Sequence, residues 1–394
     1  MHVLIHDYAG HPFQVQLSRA LARRGSRVTH LYASMIETPR GSLARRGDDP
    51  DGLEIRGVGI DSAFAKHSFV KRRFQEVEYG RRVAAEAERL APDWVISGNT
   101  PTEAQAVLAN RCRSRGIGFV SWVQDFYGIA VDKLVRRKLP LIGAAVGAYY
   151  KRMDRRVLRQ SDRIVVITED FRPMLDRMHV ERERVAVIEN WAPLEELPLM
   201  PRTNAWSREQ ALCDSFCFLY SGTLGMKHNP ALLLELALRH RDDAGVRVVV
   251  ISEGLGARWL DARKAEHGLD NLVLLPFQPF ERMPEVLASA DVLVAILEPD
   301  AGVFSVPSKV LTYLCAGKPL LAAMPRENLA ARTITSAGAG VVVAPHDVSA
   351  FVAAGDAFKH DRVSREVAGA SARAYAERTF DIGAITDAFE RTLS

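Results

Sequence analysis

One stretch of the chain, residues 304–322, combines residue types that suit an anion-binding loop and helix. Pro307 fits the first turn of a helix, where its missing N–H would have no partner, and Ser308 offers a hydroxyl to the free amides there. Gly317 ends the helix, and Pro319 prevents its continuation. Free amides and a positive dipole at a helix N-terminus favour a phosphate or diphosphate, although an ordinary helix-to-strand unit explains the same residues.

A second stretch with similar chemistry, residues 221–228, follows an apolar strand predicted over 216–220. It holds Gly222, Gly225 and Lys227, and a helix follows it. This order again provides free amides for a phosphate, with Lys227 as a point charge. The stretch is not a P-loop, which needs Gly-Lys-Ser or Gly-Lys-Thr at the start of the helix, and it lacks Gly-x-Gly-x-x-Gly.

The N-terminal half opens with a strand–loop–helix–strand pattern, and Gly10 lies in its first loop. Loops of this kind bind ligands in doubly wound sheets, although a plain turn also explains a single glycine. A later strand, predicted over 118–123, ends in Gln124 and Asp125. At the carboxyl edge of a sheet these side chains either contact a ligand or cap the next element.

Composition limits the class of protein. The 394 residues exceed the length at which one hydrophobic core usually keeps growing, so two domains are expected. A formal charge of +4 is too small to indicate nucleic acid as a partner. The four cysteines show no metal or disulfide spacing, which fits a reducing cytoplasm. The first residues lack a basic segment followed by a long apolar one, so we expect no secretion signal.

Short apolar strands alternate with helical patterns along the chain, which predicts an α/β protein with two doubly wound, Rossmann-like domains facing a central cleft. The predicted boundaries are 1–195 for the first domain, 196–215 for a polar, proline-containing linker and 216–375 for the second domain. Residues 376–394 are predicted to form a helix that packs back on the first domain. The expected ligand site is the cleft.

Residues 133–156 combine an apolar run with clusters of cations. Residues 139–150 are apolar and contain two tyrosines, and basic residues flank them on both sides. The run is far shorter than the roughly 20 residues needed to span a bilayer. Basic flanks and small residues favour an element that dips into an anionic membrane surface, and a buried helix with solvated ends is the alternative.

Taken together, these motifs resemble those of a family-4 glycosyltransferase of the GT-B fold, over nearly the whole chain. Residues 306–319 resemble the donor-site loop and helix of that family, in the Pro-Ser-Lys form found in enzymes that build bacterial surface polysaccharides. Residues 220–227 are similar to its Gly-Arg-Leu…Lys element, which holds the donor diphosphate. Phe277 resembles the turn that contacts the base. Residues 122–125 and 188–192 are also similar to this subgroup.

Four positions depart from the family pattern. Many members carry Glu-x7-Glu around the donor loop; the second Glu, which holds the ribose hydroxyls, falls at Thr312, and Glu298 and Asp300 are the candidates for the first. The Arg that precedes the family's Lys corresponds to Thr223, so one charge on the diphosphate is missing. The common active-site His of the family corresponds to Gln124.

The resemblance implies transfer of a sugar from a UDP- or GDP-sugar with retention of configuration, without a metal and without a further cofactor. Lys227 and the amides of Gly222, Ser308 and Lys309 would stabilise charge on the leaving diphosphate. We assign the side chains of Ser308 and Lys309 a smaller role than their amides.

The acceptor is expected beside Gly10, His11, Gln124 and Asp125, with Asp125 as the candidate contact to the incoming hydroxyl. If residues 133–156 meet the membrane, a lipid-linked saccharide is the expected acceptor and the inner face of the plasma membrane the expected location. Two alternatives remain open: a GT-B epimerase acting on a free UDP-sugar, and a two-domain protein that binds a small ligand without chemistry.

Overall fold

The structure is a computed structural model that describes residues 1–36, 40–62, 69–138, 140–225, 228–299 and 306–394. Over these ranges the chain forms two compact units. The first comprises Met1–Asn190 and Ile382–Ser394, and the second comprises Trp191–Asp381. Each unit is built on one parallel sheet, which confirms the predicted α/β class with two doubly wound domains.

The strands are short, and those of the second unit are almost entirely apolar, as expected where helices cover both faces of a parallel sheet. Some strands of the first unit also carry charged residues and histidines. Those of the first unit are β1 (His2–Asp7), β2 (Arg27–Ala33), β3 (Leu53–Val58), β4 (Trp94–Gly98), β5 (Gly118–Val123), β6 (Arg163–Val166) and β7 (Val185–Val187). Those of the second are β8 (Phe216–Ser221), β9 (Val246–Ile251), β10 (Leu272–Leu275), β11 (Val292–Ile296), β12 (Leu320–Ala323) and β13 (Gly340–Val343).

Helices connect these strands. In the first half of the chain they are α1 (Pro12–Arg23), α2 (Phe69–Leu90), α3 (Thr102–Arg115), α4 (Tyr127–Lys138), α5 (Pro140–Gln160) and α6 (Arg172–Arg177). The remaining helices are α7 (Ala205–Glu209), α8 (Ala231–Arg239), α9 (Leu255–His267), α10 (Met283–Ala288), α11 (Lys309–Cys315), α12 (Leu329–Ser336), α13 (Val348–His360), α14 (Arg362–Thr379) and α15 (Ile382–Leu393).

The strand order defines one switch point in each sheet. Among the described residues the first sheet has the order β3-β2-β1-β4-β5-β6-β7, and the second has β10-β9-β8-β11-β12-β13. The order therefore reverses between β1 and β4 in the first sheet and between β8 and β11 in the second. Because all the pairings are parallel, the carboxyl ends of the strands share one edge, where ligands bind in such sheets.

The predicted linker is wrong, because residues 196–215 are packed into the second unit. Asn204 caps α7: its side chain accepts the Ser207 N–H at 2.9 Å, and Ser207 Oγ accepts the Asn204 N–H at the same distance. Trp206 is fully buried and donates its indole N–H to Gln278 Oε1 at 3.0 Å. A helix of five residues has too little periodicity to show in a sequence pattern.

The C-terminal residues divide between the two units. Helix α14 belongs to the second unit, where Arg373 donates to the Cys315 carbonyl at 2.7 Å. Helix α15 belongs to the first unit, where Arg24 donates to Asp387 at 2.5 Å and to Glu390 at 2.7 Å. The unit boundary at Asp381 therefore lies between the two helices.

Of the basic and apolar segment, residues 133–138 lie on α4 and residues 140–156 lie on α5. Gly143 and Gly147 of α5 are buried against α4, and a Cβ atom on Gly143 would lie 2.6 Å from the Val135 carbonyl carbon. Close packing of two helices thus accounts for the small residues on this face. In the parts of the chain that the structure describes, no helix is both long and apolar enough to cross a membrane.

Candidate functional sites

The turn after β8 lies at the switch point of the second sheet, and the fold uses most of its amides. The N–H groups of Ser221, Leu224 and Gly225 donate to Tyr313 Oη (2.9 Å), Ser252 Oγ (3.0 Å) and His228 Nδ1 (3.1 Å). The Gly222 N–H donates to the Ile251 carbonyl at 2.9 Å, so the prediction that this amide is free for a diphosphate is wrong. The Thr223 amide has no hydrogen-bond partner within the described ranges.

Lys309, the first residue of α11, directs its side chain toward this turn. Its Nζ lies 3.5 Å from the centre of the Tyr220 ring. A Cβ atom on Gly222 would lie 3.1 Å from the same nitrogen. The nitrogen is buried, and among the described residues it has no hydrogen-bond partner. Burial away from water lowers the pKa of Lys309 well below its ordinary value.

Ser308 does not cap α11, which corrects the sequence prediction. Its backbone is already helical, with φ −60° and ψ −24°, and its side chain accepts no hydrogen bond from the helix. A capping serine normally has an extended backbone, which turns the hydroxyl toward the free amides. Ser308 is instead exposed to solvent.

Three other predicted donor residues lie on elements at the carboxyl edge of the second sheet or beside it. Phe277 follows β10, and its N–H donates to Glu253 at 3.4 Å. Glu298 follows β11, and Thr312 lies three residues after Lys309 on α11; both are half-buried. Lys227 and Asp300 lie outside the described residues, so their roles stay predictions.

Sequence reasoning missed Tyr313, which ties α11 to β8. Its hydroxyl donates to the Ser221 carbonyl at 3.1 Å and accepts the Ser221 N–H at 2.9 Å. Tyr313 follows Lys309 by four residues, so both side chains leave the same face of the helix. That spacing of a tyrosine and a lysine was the signal available in the sequence.

The corresponding turn of the first unit, after β1, is closed by its own carboxylate. Asp7 is fully buried and accepts the amide of Ala9 at 3.1 Å and that of His11. Burial raises the pKa of Asp7. Gly10 is enclosed as well, because a Cβ atom there would lie 2.8 Å from Leu43 Cδ1. This turn therefore does not present Gly10 to a ligand.

A cavity of about 290 Å³ opens in the first unit at the carboxyl ends of β4 and β5. Gln124 and Asp125 lie on its wall, as do several aromatic side chains. Gln124 is fixed by a reciprocal amide pair with Asn190, at 3.2 Å and 2.6 Å, whereas Asp125 is exposed. The aromatic part of the wall consists of Tyr8, Trp122, Phe126 and Tyr127.

Asp154 also lines this cavity, and sequence reasoning missed it. Its carboxylate accepts Thr102 Oγ1–H and the Gly128 N–H, both at 2.7 Å. Asp154, and not Gln124 or Asp125, therefore holds the Gly128 amide in the first turn of α4. Burial raises the pKa of Asp154 to about 6. In the sequence, Asp154 lies among basic residues, so it looks like an ordinary charge on a solvent-exposed helix.

Asn99 marks the switch point of the first sheet. It follows β4 and has φ 52°, a left-handed conformation that few residues other than glycine adopt. Its side-chain nitrogen lies 3.3 Å from His11 Nε2, and Asn99 also lines the cavity. His11 therefore contacts a residue of the cavity wall, Asn99, and does not line the cavity itself.

Comparison with known proteins places both units in one family. The profile of the "Glycosyl transferase 4-like domain" matches residues 11–191, and that of "Glycosyl transferases group 1" matches residues 204–375. A protein of Escherichia coli (strain K12) named as a colanic acid biosynthesis glycosyl transferase, WcaI, is 26% identical over 247 residues. That alignment covers 61% of this chain and 58% of WcaI.

Solved structures show the same fold at low sequence identity. Sucrose-phosphate synthase of Thermosynechococcus elongatus has a TM-score of 0.76 at 13% identity, with 99% of this chain and 98% of that chain covered. Anabaena HepE in complex with UDP has a TM-score of 0.71 at 15% identity, covering 100% and 99%. WaaG, a glycosyltransferase involved in lipopolysaccharide biosynthesis, has a TM-score of 0.68 at 18% identity, covering 99% and 98%.

The two profiles follow one another along the chain, and each covers most or all of one of the two sheets described above. Residues 306–319, which resemble the family's donor-site loop and helix, lie within the second profile. This chain belongs to the family-4 glycosyltransferases of the GT-B fold, related to enzymes of surface polysaccharide biosynthesis.

Proposed function

We propose that the protein transfers a sugar from a UDP- or GDP-sugar to a lipid-linked saccharide in the synthesis of a bacterial surface polysaccharide. The observation that carries this proposal is the position of the predicted donor-binding residues at or near the carboxyl edge of the second sheet. Three residues predicted to contact the donor follow strands of this sheet at their carboxyl ends: Thr223 after β8, Phe277 after β10 and Glu298 after β11. A fourth, Thr312, lies on α11, which Tyr313 ties to β8. Solved structures of HepE carry UDP and UDP-glucose, and this supports a nucleoside-diphosphate sugar as the donor here.

The chemistry breaks the bond between the sugar C1 and the diphosphate and forms one between C1 and the acceptor oxygen. Negative charge grows on the leaving diphosphate, so donors held in place beside it lower the barrier. The Thr223 amide is one such donor, and Lys227 is predicted to add a charge. Retention of configuration and independence from metals are part of the proposal and rest on the family resemblance.

The acceptor half of the proposal rests on the cavity of the first unit. Aromatic faces pack against the apolar faces of sugar rings, and polar side chains between them bind hydroxyl groups. Tyr127, which is half-buried, supplies such a face, and Asn99, also half-buried, supplies a polar group. Asp125, exposed on the wall, is our candidate for the contact to the incoming hydroxyl.

An incubation of the purified protein with membrane lipid extracts and labelled UDP- and GDP-sugars tests the proposal. We expect one donor to label a lipid-linked product. Conversion of the donor without an acceptor would indicate the epimerase, and failure of every donor to bind to folded protein would overturn the proposal. Addition of EDTA should leave the rate unchanged.

We further propose that residues 133–156 bring the protein to the inner face of the plasma membrane. Arg152 and Arg156 are exposed on one face of α5, where their spacing of four residues aligns them, and Arg159 extends this face just beyond the segment. Tyr149 beside them is 44% exposed. Exposed cations next to an aromatic ring suit an anionic lipid surface.

Charge reversal tests this docking. The double variant Arg152→Glu, Arg156→Glu should bind vesicles containing phosphatidylglycerol at least about tenfold more weakly, because each cation near such a surface contributes about 1 kcal/mol. The matched control reverses two exposed arginines of α14, Arg362→Glu and Arg378→Glu. Equal sedimentation of the two double variants with the vesicles would contradict the assignment of the docking surface.

A further inference from the structure

Within the described residues, no hydrogen bond explains the position of the Lys309 side-chain nitrogen. This nitrogen, Nζ, is buried, and the described residues offer it no hydrogen-bond acceptor. Burial of an unpaired ammonium group is strongly unfavourable. The Tyr220 ring, 3.5 Å away, compensates for part of that loss. A methionine of similar length would suit the surroundings that the described residues provide better than a lysine does.

The surroundings of Nζ indicate what it binds. The nitrogen lies against Gly222, whose φ of 130° and missing side chain let the end of the lysine approach the turn. The next residue, Thr223, has an amide without a partner in the described part of the chain. A lysine side chain that reaches the turn and an amide of the turn without a partner match an anion with several acceptor oxygens, as a phosphoryl group has.

We propose that the Lys309 side chain binds the diphosphate of the donor and stabilises the charge that develops on it as the sugar leaves. This inference rests on the proposed function, because it requires a nucleoside-diphosphate donor. It adds to the role assigned from the sequence, which rested chiefly on the Lys309 amide. The lysine reaches the turn from α11 and supplies a charge where the family's arginine is replaced by Thr223.

The test compares diphosphate with monophosphate binding in the full-length protein. UDP and UMP, and in parallel GDP and GMP, are titrated calorimetrically into wild type and Lys309→Met. For the nucleotide that binds, wild type should prefer the diphosphate, and the variant should lose at least about tenfold of that preference with little change for the monophosphate. The rate constant kcat should fall by about 100-fold.

Lys318→Met is the matched control. Lys318 lies beyond the other end of α11, and Asp291, Arg202 and Cys217 are the charged and titratable groups that act on it. Cys217 and Asp291 lie at the amino ends of β8 and β11, away from the turn. Its replacement removes one lysine charge and should leave the diphosphate preference unchanged.

The outcomes separate the two proposals. If wild type binds a nucleoside diphosphate and Lys309→Met binds it equally well, the role of Lys309 is wrong and the donor proposal stands. If wild type binds none of the nucleotides and uses none of the donor sugars, both are overturned. Thermal unfolding without ligand verifies that the variant is folded, and Lys309→Gln provides a second neutral side chain.

Discussion

The turns after β1 and β8 occupy the same place in their sheets, yet they differ in charge. Each follows the strand at the switch point and contains a glycine with positive φ, Gly10 in one and Gly222 in the other. The last residue of the strand is Asp7 in the first unit and Ser221 in the second. The first turn thus carries a carboxylate at the position where the second carries a neutral hydroxyl.

This difference decides what each turn can bind. Asp7 satisfies the amides of Ala9 and His11 from within the fold, so the first turn contains its own anion. In the second turn, the described residues leave the Thr223 amide without a partner and bury the Lys309 side-chain nitrogen without an acceptor. Within the described residues, the first turn satisfies its own amides, whereas the second leaves the Thr223 amide and the Lys309 nitrogen without a partner.

Ser221→Asp gives the second turn the carboxylate that the first turn has in Asp7. Of the variants considered, it should have the largest effect, on the affinity for a nucleoside diphosphate. A carboxylate at this position would accept the Thr223 amide and pair with Lys309, and it would repel a diphosphate. We expect affinity for the nucleoside diphosphate to fall about 1,000-fold, since two charge-assisted hydrogen bonds are each worth about 1.5–3 kcal/mol. Calorimetric titration measures this loss.

The neutral variant Ser221→Asn controls for size at the same position and should bind within about tenfold of wild type. Thermal unfolding adds an independent readout, because Ser221→Asp should be at least as stable as wild type when its carboxylate pairs with the buried lysine. Tight diphosphate binding by a folded Ser221→Asp protein would break the comparison of the two turns.

A second comparison concerns pH. The first unit holds a carboxyl group, Asp154, whose pKa is raised from 3.8 to about 6 by burial. The folded state therefore binds this proton more tightly than the unfolded state, and the stability that Asp154 contributes falls as pH rises from 3.8 through 6. The shift corresponds to about 3 kcal/mol at pH values above 6.

Asp154→Asn removes this titration and keeps both hydrogen bonds, because its amide can accept from Gly128 and donate to Thr102. The difference in the free energy of unfolding between the variant and wild type should grow in favour of the variant between pH 4 and 6. Above pH 6 this difference should stay constant. Hydrogen exchange of amides in α4 and α5, compared between the two proteins at each pH, measures the difference. A difference that does not change with pH would show that Asp154 is not the titrating group.

The parallel strands were predictable because they are buried on both faces. The runs 292–296 and 320–323 consist of apolar residues alone, and the structure has β11 and β12 at these bounds. Hydrophobicity sets where such a strand begins and ends. The same logic failed for 196–215, where single residues such as Trp206 and Asn204 attach an irregular segment to the second unit.

The candidate site was harder to predict, because its chemistry depends on the direction of side chains. A lysine in the first turn of a helix normally points into solvent, and only the packing of α11 on β8 turns Lys309 inward. The contact between Tyr313 and Ser221 joins residues 92 positions apart. Asp154 bonds Thr102 across 52 positions. Contacts over such distances leave no local periodicity in a sequence.

Asp7→Asn removes the carboxylate from the first turn, whereas Ser221→Asp adds one to the second. Its expected effect, on stability alone, is the smallest. The carboxylate accepts two amides, one on each oxygen, whereas an asparagine has one acceptor and would turn an NH2 group toward the other amide. A buried donor without an acceptor costs about 1–3 kcal/mol, so the first unit should lose stability by about that amount. Diphosphate affinity should not change, because this turn contributes no ligand site.

The control Asp48→Asn removes a carboxylate on the surface and should alter stability by less than about 0.5 kcal/mol. Loss of diphosphate binding in a folded Asp7→Asn protein would mean that the first turn, and not only the second, takes part in holding the donor.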